Sequence, residues 1–280
     1  MRVCLSIDVE RDYRTDDRMT VHGITEGLPG FIDILRSHRI PHDLMVSGEV
    51  APLVPREIVE GHSDLAALGC HGHLHRPGYL GRRSEAEQER DIVRAQRAIV
   101  DAFGRSPRHF RSPNFSVDRR TFAVLDRTGF RVDSSILPGR VVRRMRVFPL
   151  LDHRRAPQDP YRPDSNDPFR AGSSRLLEVP VTPNPAYPGS PIGLGFLQRF
   201  GPKAAVDSVM ASKARYVIFL THSWEMVDWR DERGVAPWVR EAAQRDLSRF
   251  EEFLAMADAW EFVNLDSILA AETSGASSAQ

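Results

Sequence analysis

Cysteine is nearly absent from this chain of 280 residues, with only Cys4 and Cys70 present. Two cysteines make no disulfide framework, so a reducing compartment is the simpler expectation. Surplus charge is missing too: 38 Lys plus Arg balance 38 Asp plus Glu. A chain without basic excess lacks the electrostatic footprint of a nucleic-acid binder. No run of about 18 apolar residues occurs, which argues against a transmembrane segment. The opening MRVCLSIDVERDY meets charge before any apolar stretch of signal-peptide length. The expectation is a cytoplasmic protein.

What is present is ordinary globular composition, 41% hydrophobic and 27% charged. RVCLSIDV (2–9) is β-branched and apolar and reads as a buried strand, and HDLMVSG reads as a second. Residues 28–38 carry Phe31, Ile34, Leu35 and His38 at helical spacing. From Ser84 to Phe103 the signs of a helix agree: Ser84 and Glu87 form a capping box, Ile92, Ala95, Ile99 and Phe103 share a face, and Gly104 stops it. RHFRSP (a strand), a helix from about Asp118 to Thr128, GFRVDSS and RYVIFLTH (strands) follow. A long helix over 237–257 and the strand WEFVNL close the series. Strands alternating with helices predict βαβ units and a parallel sheet. Residues 139–175, rich in arginine and proline, form a long irregular excursion, read either as a surface loop or as a substrate lid. The small, polar residues 271–280 read as a disordered tail, leaving 1–270 as a single domain.

Histidine is scarce as well, ten in all, yet GCHGHLH gathers His71, His73 and His75. His71 and His75, four apart, can face one way from a helical turn; His71 and His73 could do so from extended backbone, and Gly72 permits either. Neutral imidazoles with one carboxylate make an open three-ligand metal site. In SIDVE, Asp8 and Glu10 lie two apart on a strand and so project to the same face. FRSPNFS places Arg111 where it could pair with an acid, and FLTHSWE places His222 and Trp224 after an apolar strand. A histidine there can protonate a leaving group, and the tryptophan can form an apolar wall for a sugar ring.

The order SIDVE, HGHLH, RSPNF, VDSS, LTHSWE resembles the polysaccharide deacetylase family, also called the NodB homology domain (carbohydrate esterase family 4). That family ends a first strand with two acids, then carries His-(Ser/Thr)-x-x-His, Arg-x-Pro and a late Leu-x-His. The resemblance implies a distorted (β/α)7 barrel. It implies Asp8 as catalytic base, Glu10, His71 and His75 as metal ligands, Arg111 as the residue steadying the base, and His222 as the acid, with Asp133 as its acidic partner. Pro113, Asn114, Leu220 and Trp224 fall at substrate-binding positions. The sequence departs from the family in separating its first two acids by Val9; members with an Asp-x-Asp or Asp-x-Glu arrangement include the peptidoglycan-deacetylase-like and allantoinase-like branches.

The implied reaction is hydrolysis of an N-acetyl group on an amino sugar with a divalent metal, Zn2+ first and Co2+, Ni2+ or Mn2+ as alternatives. The expected partner is a cytoplasmic small molecule or glycan precursor: free, nucleotide-linked, lipid-linked or a natural-product intermediate. A cyclic-amide hydrolase and an inactive carbohydrate-binding barrel are the competing readings.

Overall fold

The structure, a computed structural model, describes residues 1–16, 18–60, 64–74, 79–145 and 147–277. In chain order its elements are β1 (Arg2–Val9), α1 (Leu28–Ser37), β2 (His42–Val46), α2 (Arg56–Glu60), β3 (Ala66–Cys70) and α3 (Glu85–Phe103). There follow β4 (His109–Phe110), α4 (Arg119–Arg127), β5 (Val132–Asp133), β6 (Val141–Arg144), β7 (Phe148–Asp152) and β8 (Leu177–Glu178). The chain closes with α5 (Leu194–Phe200), α6 (Pro202–Ala211), β9 (Tyr216–His222), α7 (Pro237–Ala242), α8 (Ser248–Met256), β10 (Glu261–Val263) and α9 (Leu265–Ser277).

Eight of these strands pair in parallel into one curled sheet. β1 is its axis: β9 flanks it over residues 2–8, while on its other side β10 covers residues 2–4 and β2 covers 5–9. β3, β4, β5 and β8 continue outward from β2. The edges β8 and β9 are joined through the intervening chain, by a bridge between Gly193 and Leu220, a bond from the Leu220 N–H to the Ile192 carbonyl, 2.9 Å, and one from the Ile218 N–H to Thr182 Oγ1, 2.8 Å. A Cβ on Gly193 would fall 1.9 Å from the Leu220 oxygen, so the seam closes only because that side chain is absent. The distorted barrel expected from the motifs is therefore observed.

Strand periodicity divides the interior into two cores. Val3, Leu5, Ile7 and Val9 of β1 face the helices and join Val46, Cys70 and Phe110 in the main cluster. Cys4, Met45, Val132, Leu177 and Ile218 face inward and form a second. In a parallel sheet register partners share a face, and alternate residues along a strand change face. Both cysteines are buried and free.

α3 matches its prediction from end to end. Glu87 accepts from the Ser84 N–H at 2.9 Å, Ile92, Ala95, Ile99 and Phe103 are buried, and Gly104 turns left-handed at φ +66°. Each large apolar side chain on that face contributes about 1.5–3 kcal/mol by burial.

Two predictions fail. The single helix over 237–257 is broken: Ala243 is extended, the Gln244 N–H donates to the Glu225 carbonyl instead of continuing the helix, and Asp246 caps a new start at the Ser248 N–H. Residues 271–277, read as tail, continue α9, whose Leu265, Ile268 and Leu269 join the inward cluster. The predicted tail's last residues, 278–280, lie outside the described part. The excursion at 139–175 contains the antiparallel hairpin β6–β7 and an antiparallel bridge from Tyr161 to Glu178. No helix among the described residues is long and apolar enough to cross a membrane.

Candidate active site

The inward faces of β1 and β9, with the turns after β3 and β4, converge on one cavity of about 370 Å³. Asp8 and His222 are register partners on neighbouring strands and therefore face the same way. His71 follows β3 directly, and Arg111 follows β4. Asp8, Glu10, His71 and Arg111 are all at most 2% exposed.

Arg111 is the organiser. Its Nη1 donates to Asp8 Oδ1 at 2.7 Å, its Nε to the Ser134 carbonyl at 2.9 Å and its Nη2 to Ser134 Oγ at 3.1 Å. One oxygen of Asp8 is thus committed. The other, Oδ2, stands 3.9 Å from His71 Nε2 and 3.9 Å from His222 Nε2. The Arg111 carbonyl lies 2.9 Å from His71 Nδ1; a carbonyl only accepts, so Nδ1 carries the proton and Nε2 faces the acids. Glu10 Oε2 is 3.4 Å from that Nε2. Burial opposes a charged His71, but Asp8 and Glu10 outweigh it and raise its pKa above the ordinary histidine value.

Four consecutive residues, His222 to Glu225, build the opposite wall. Ser223 Oγ donates to the Glu10 carbonyl at 3.0 Å and accepts from the Glu10 N–H at 3.3 Å. The Trp224 Nε1–H donates to Glu10 Oε1 at 2.9 Å, and its ring stacks on His222 with centroids 4.8 Å apart. Glu225 Oε2 accepts from the His222 N–H at 3.0 Å, and its Oε1 lies 3.3 Å from His222 Nδ1. Burial pulls the His222 pKa down; Glu225, with smaller help from Glu10 and Asp8, pushes it up to about 9.

This corrects the acidic partner of His222: Glu225 holds that place, not Asp133. Asp133 pairs in register with Phe110 and Glu178, on the face that packs toward the helices. Its neighbour Ser134 reaches Arg111 instead. Asp133 accepts from Ser135 Oγ at 2.6 Å, and burial raises the pKa of both Asp133 and its neighbour Glu178. Sequence reasoning could have found Glu225, because His222-x-x-Glu225 has the spacing of a capping box.

The other predicted residues are placed as follows. His75 lies outside the described residues. His73 is placed elsewhere: its ring Nδ1 lies where it would meet a Cβ on Gly48 at 2.5 Å, and its backbone N–H donates to Asp91 of α3, 2.9 Å. Pro113 packs beside Gly72, whose φ is +65°, rather than lining the cavity; Asn114 and Leu220 do line it. Trp224 is 3% exposed, so it anchors Glu10 more than it offers a ligand face. Exposed aromatic faces come instead from Tyr13 and Trp238, packed on Trp224 at 5.8 and 5.9 Å, and from Tyr187 and Phe200. Among the described residues of the excursion only Arg140 lines the cavity, and the rim comes largely from residues 187–200, a turn with the helix α5 it leads into, which the sequence motifs do not mark.

Whether these residues suit a cation follows from their charge. Asp8, Glu10 and Glu225 place three carboxylates around the cavity floor against the Arg111 guanidinium and His222, a deficit of positive charge that favours a cation. Among the described residues no three His, Cys, Asp or Glu side chains form a ready cage. Glu10 and His71 nonetheless present an oxygen and a nitrogen to the same point, each oriented by a second residue, the arrangement that supports metal ligands. They fit a divalent cation with a further ligand.

Residues 15–132 match the sequence model of the family described as Polysaccharide deacetylase. That span includes GCHGHLH and Arg111 but neither SIDVE nor His222. No curated protein matches the chain. Among solved structures, a protein of Mycobacterium smegmatis described as a polysaccharide deacetylase aligns with TM-score 0.65 and 17% identity over 96% of this chain and 88% of its own. The allantoinase PuuE aligns with TM-score 0.60 and 12% identity over 96% and 89%. A family 4 acetyl xylan esterase from Clostridium thermocellum, solved with a cobalt ion, aligns with TM-score 0.51 and 15% identity over 98% and 92%. At these identities the likenesses establish the fold.

Proposed function

On the premise that residues 15–132 carry the polysaccharide deacetylase signature, we propose that the chain is a hydrolase that removes an N-acetyl group from an amino sugar with the help of a divalent cation. The observation that carries this reading is Asp8, with one oxygen held by Arg111 and the other between His71 and His222. A base and an acid side by side suit an amide, whose nitrogen leaves well only when protonated.

Glu10 and His71 would hold the cation, with His75 as the third ligand that the family resemblance implies. When bound, Zn2+ or another first-row divalent ion supplies a Lewis acid and brings the pKa of water from about 16 to about 7. Asp8 Oδ2 takes the proton of the attacking water, while Arg111 keeps the carboxylate aimed. His222, protonated at neutral pH, delivers its Nε2 proton to the departing amine, and Glu225 holds the ring from the Nδ1 side. Trp224 restrains both Glu10 and His222.

A cavity of about 370 Å³ belongs to the small-molecule range, which favours a single sugar or glycan precursor as substrate. The two free cysteines support a reducing, cytoplasmic setting. A cyclic-amide hydrolase is the second reading, favoured by the Asp-x-Glu spacing and the fold shared with an allantoinase.

Metal content by mass spectrometry and acetate release from N-acetyl sugars test the proposal, for wild type beside Asp8→Asn and His71→Ala. Wild type and Asp8→Asn should each carry about one divalent ion, with turnover lost in the latter. His71→Ala should lose both. Hydrolysis of allantoin without acetate release from any sugar would select the second reading, and full activity in His71→Ala would refute the ligand assignment.

A further inference from the structure

Resting on the amide-hydrolase reading, we propose that Arg140 forms an anion subsite in this cavity, so that the substrate carries a carboxylate or phosphate beside its scissile amide. Arg140 follows Gly139, which turns the chain at φ +84°, and its guanidinium enters the wall of the cavity whose floor holds Asp8 and His222.

Two arginines line that cavity, and they differ. Arg199 is already matched, with Glu241 at 3.2 Å and the Phe200 ring beneath it. Arg140 donates Nη1 to the Gly189 carbonyl at 2.7 Å and lies 5.3 Å over the Phe115 ring, but it forms no ion pair with any described carboxylate. Its Nε is buried and donates to no group among the described residues. A guanidinium cannot shed its proton, and a half-buried cation without a counter-charge is costly. Clipping the Gly189 carbonyl needs one of five N–H donors; the remaining fork matches a carboxylate or phosphate.

The same cavity is lined by groups of both signs. Asp8, Glu10 and Glu225 would repel a ligand anion, whereas Arg140, held against the Gly189 carbonyl and the Phe115 ring, would attract it. A substrate bearing both groups is therefore oriented with its amide on Asp8 and its anion on Arg140.

The test compares N-acetylglucosamine, N-acetylglucosamine 6-phosphate and N-acetylmuramic acid. Binding is read by quenching of Trp224 and Trp238, which line the cavity, and turnover by acetate release. Wild type should bind one of the acids about 10- to 100-fold more tightly than the neutral sugar, as charge-assisted hydrogen bonds allow. Which acid wins separates phosphate from carboxylate. Arg140→Gln should bring the preference near unity, and Arg140→Lys, which keeps the charge without the fork, should retain part of it. Equal binding of the three sugars, no binding of any, or a preference that survives in Arg140→Gln overturns the subsite. Preference without cleavage would sink the deacetylase reading and leave the subsite standing; cleavage without preference would do the reverse.

Discussion

Replacing Trp224 by phenylalanine separates the anchoring of Glu10 from everything else the indole does. The substitution keeps an aromatic ring where the indole stacks on His222 at 4.8 Å, but removes the Nε1–H that Glu10 accepts at 2.9 Å. A hydrogen bond to an ionised acceptor contributes about 1.5–3 kcal/mol. With it gone, Glu10 loses the bond that aims it at the point it shares with His71 Nε2, and loss of such an orienting contact costs about 10- to 100-fold in metal affinity. Trimming a ring that is 3% exposed also leaves a small void, worth about 1–2 kcal/mol of stability. Competition with a chromophoric Zn2+ chelator measures the affinity, and a circular-dichroism melt shows that the variant is folded. Glu10→Gln sets the scale for losing the ligand's charge altogether. A folded Trp224→Phe whose Zn2+ affinity stays within about threefold of wild type would refute the idea that the indole positions a ligand.

Two further outcomes follow from single contacts. Glu225→Gln removes the carboxylate 3.3 Å from His222 Nδ1; kcat for amide hydrolysis should fall about 10- to 100-fold with KM nearly unchanged, and a change confined to KM would contradict the assignment. His153 is buried, accepts from the Leu137 N–H at 3.1 Å, and has its pKa lowered to about 4 from the usual 6.5. Its burial is thus fully tolerated above about pH 6.5 and loses stability as pH falls toward 4, where the unfolded chain takes up the proton first, by up to about 3 kcal/mol. Urea midpoints at pH 7 and pH 4.5, for wild type beside His153→Gln, should show the difference between them shifting by about 2–3 kcal/mol against wild type at the lower pH; a pH-independent difference would rule this out.

The elements that sequence alone determined are those specified by neighbours in the chain. α3 was legible because its cap, its buried face and its left-handed stop all lie within about twenty residues. Asp8 and Glu10 were legible as a same-face pair because alternation on a strand is a local rule. The break after α7 was not, since a bond from Gln244 to the distant Glu225 carbonyl ends that helix. Nor was the helical tail, whose polar composition gives no sign that Leu265, Ile268 and Leu269 have an inward core to meet.

Tertiary structure decided the rest of the site. Sheet register turned Asp133 toward the helices and Ser134 toward Arg111, a choice of one residue that composition does not record. Folding also brought Glu10 against Trp224, 214 positions away, and set Arg140 in the wall of a cavity that three acids also line. Residue types and short-range spacing carry the chemistry a chain can perform. Which groups meet, which charge is matched and which is left for a ligand depend on contacts between distant residues, and those exist only once the sheet has closed.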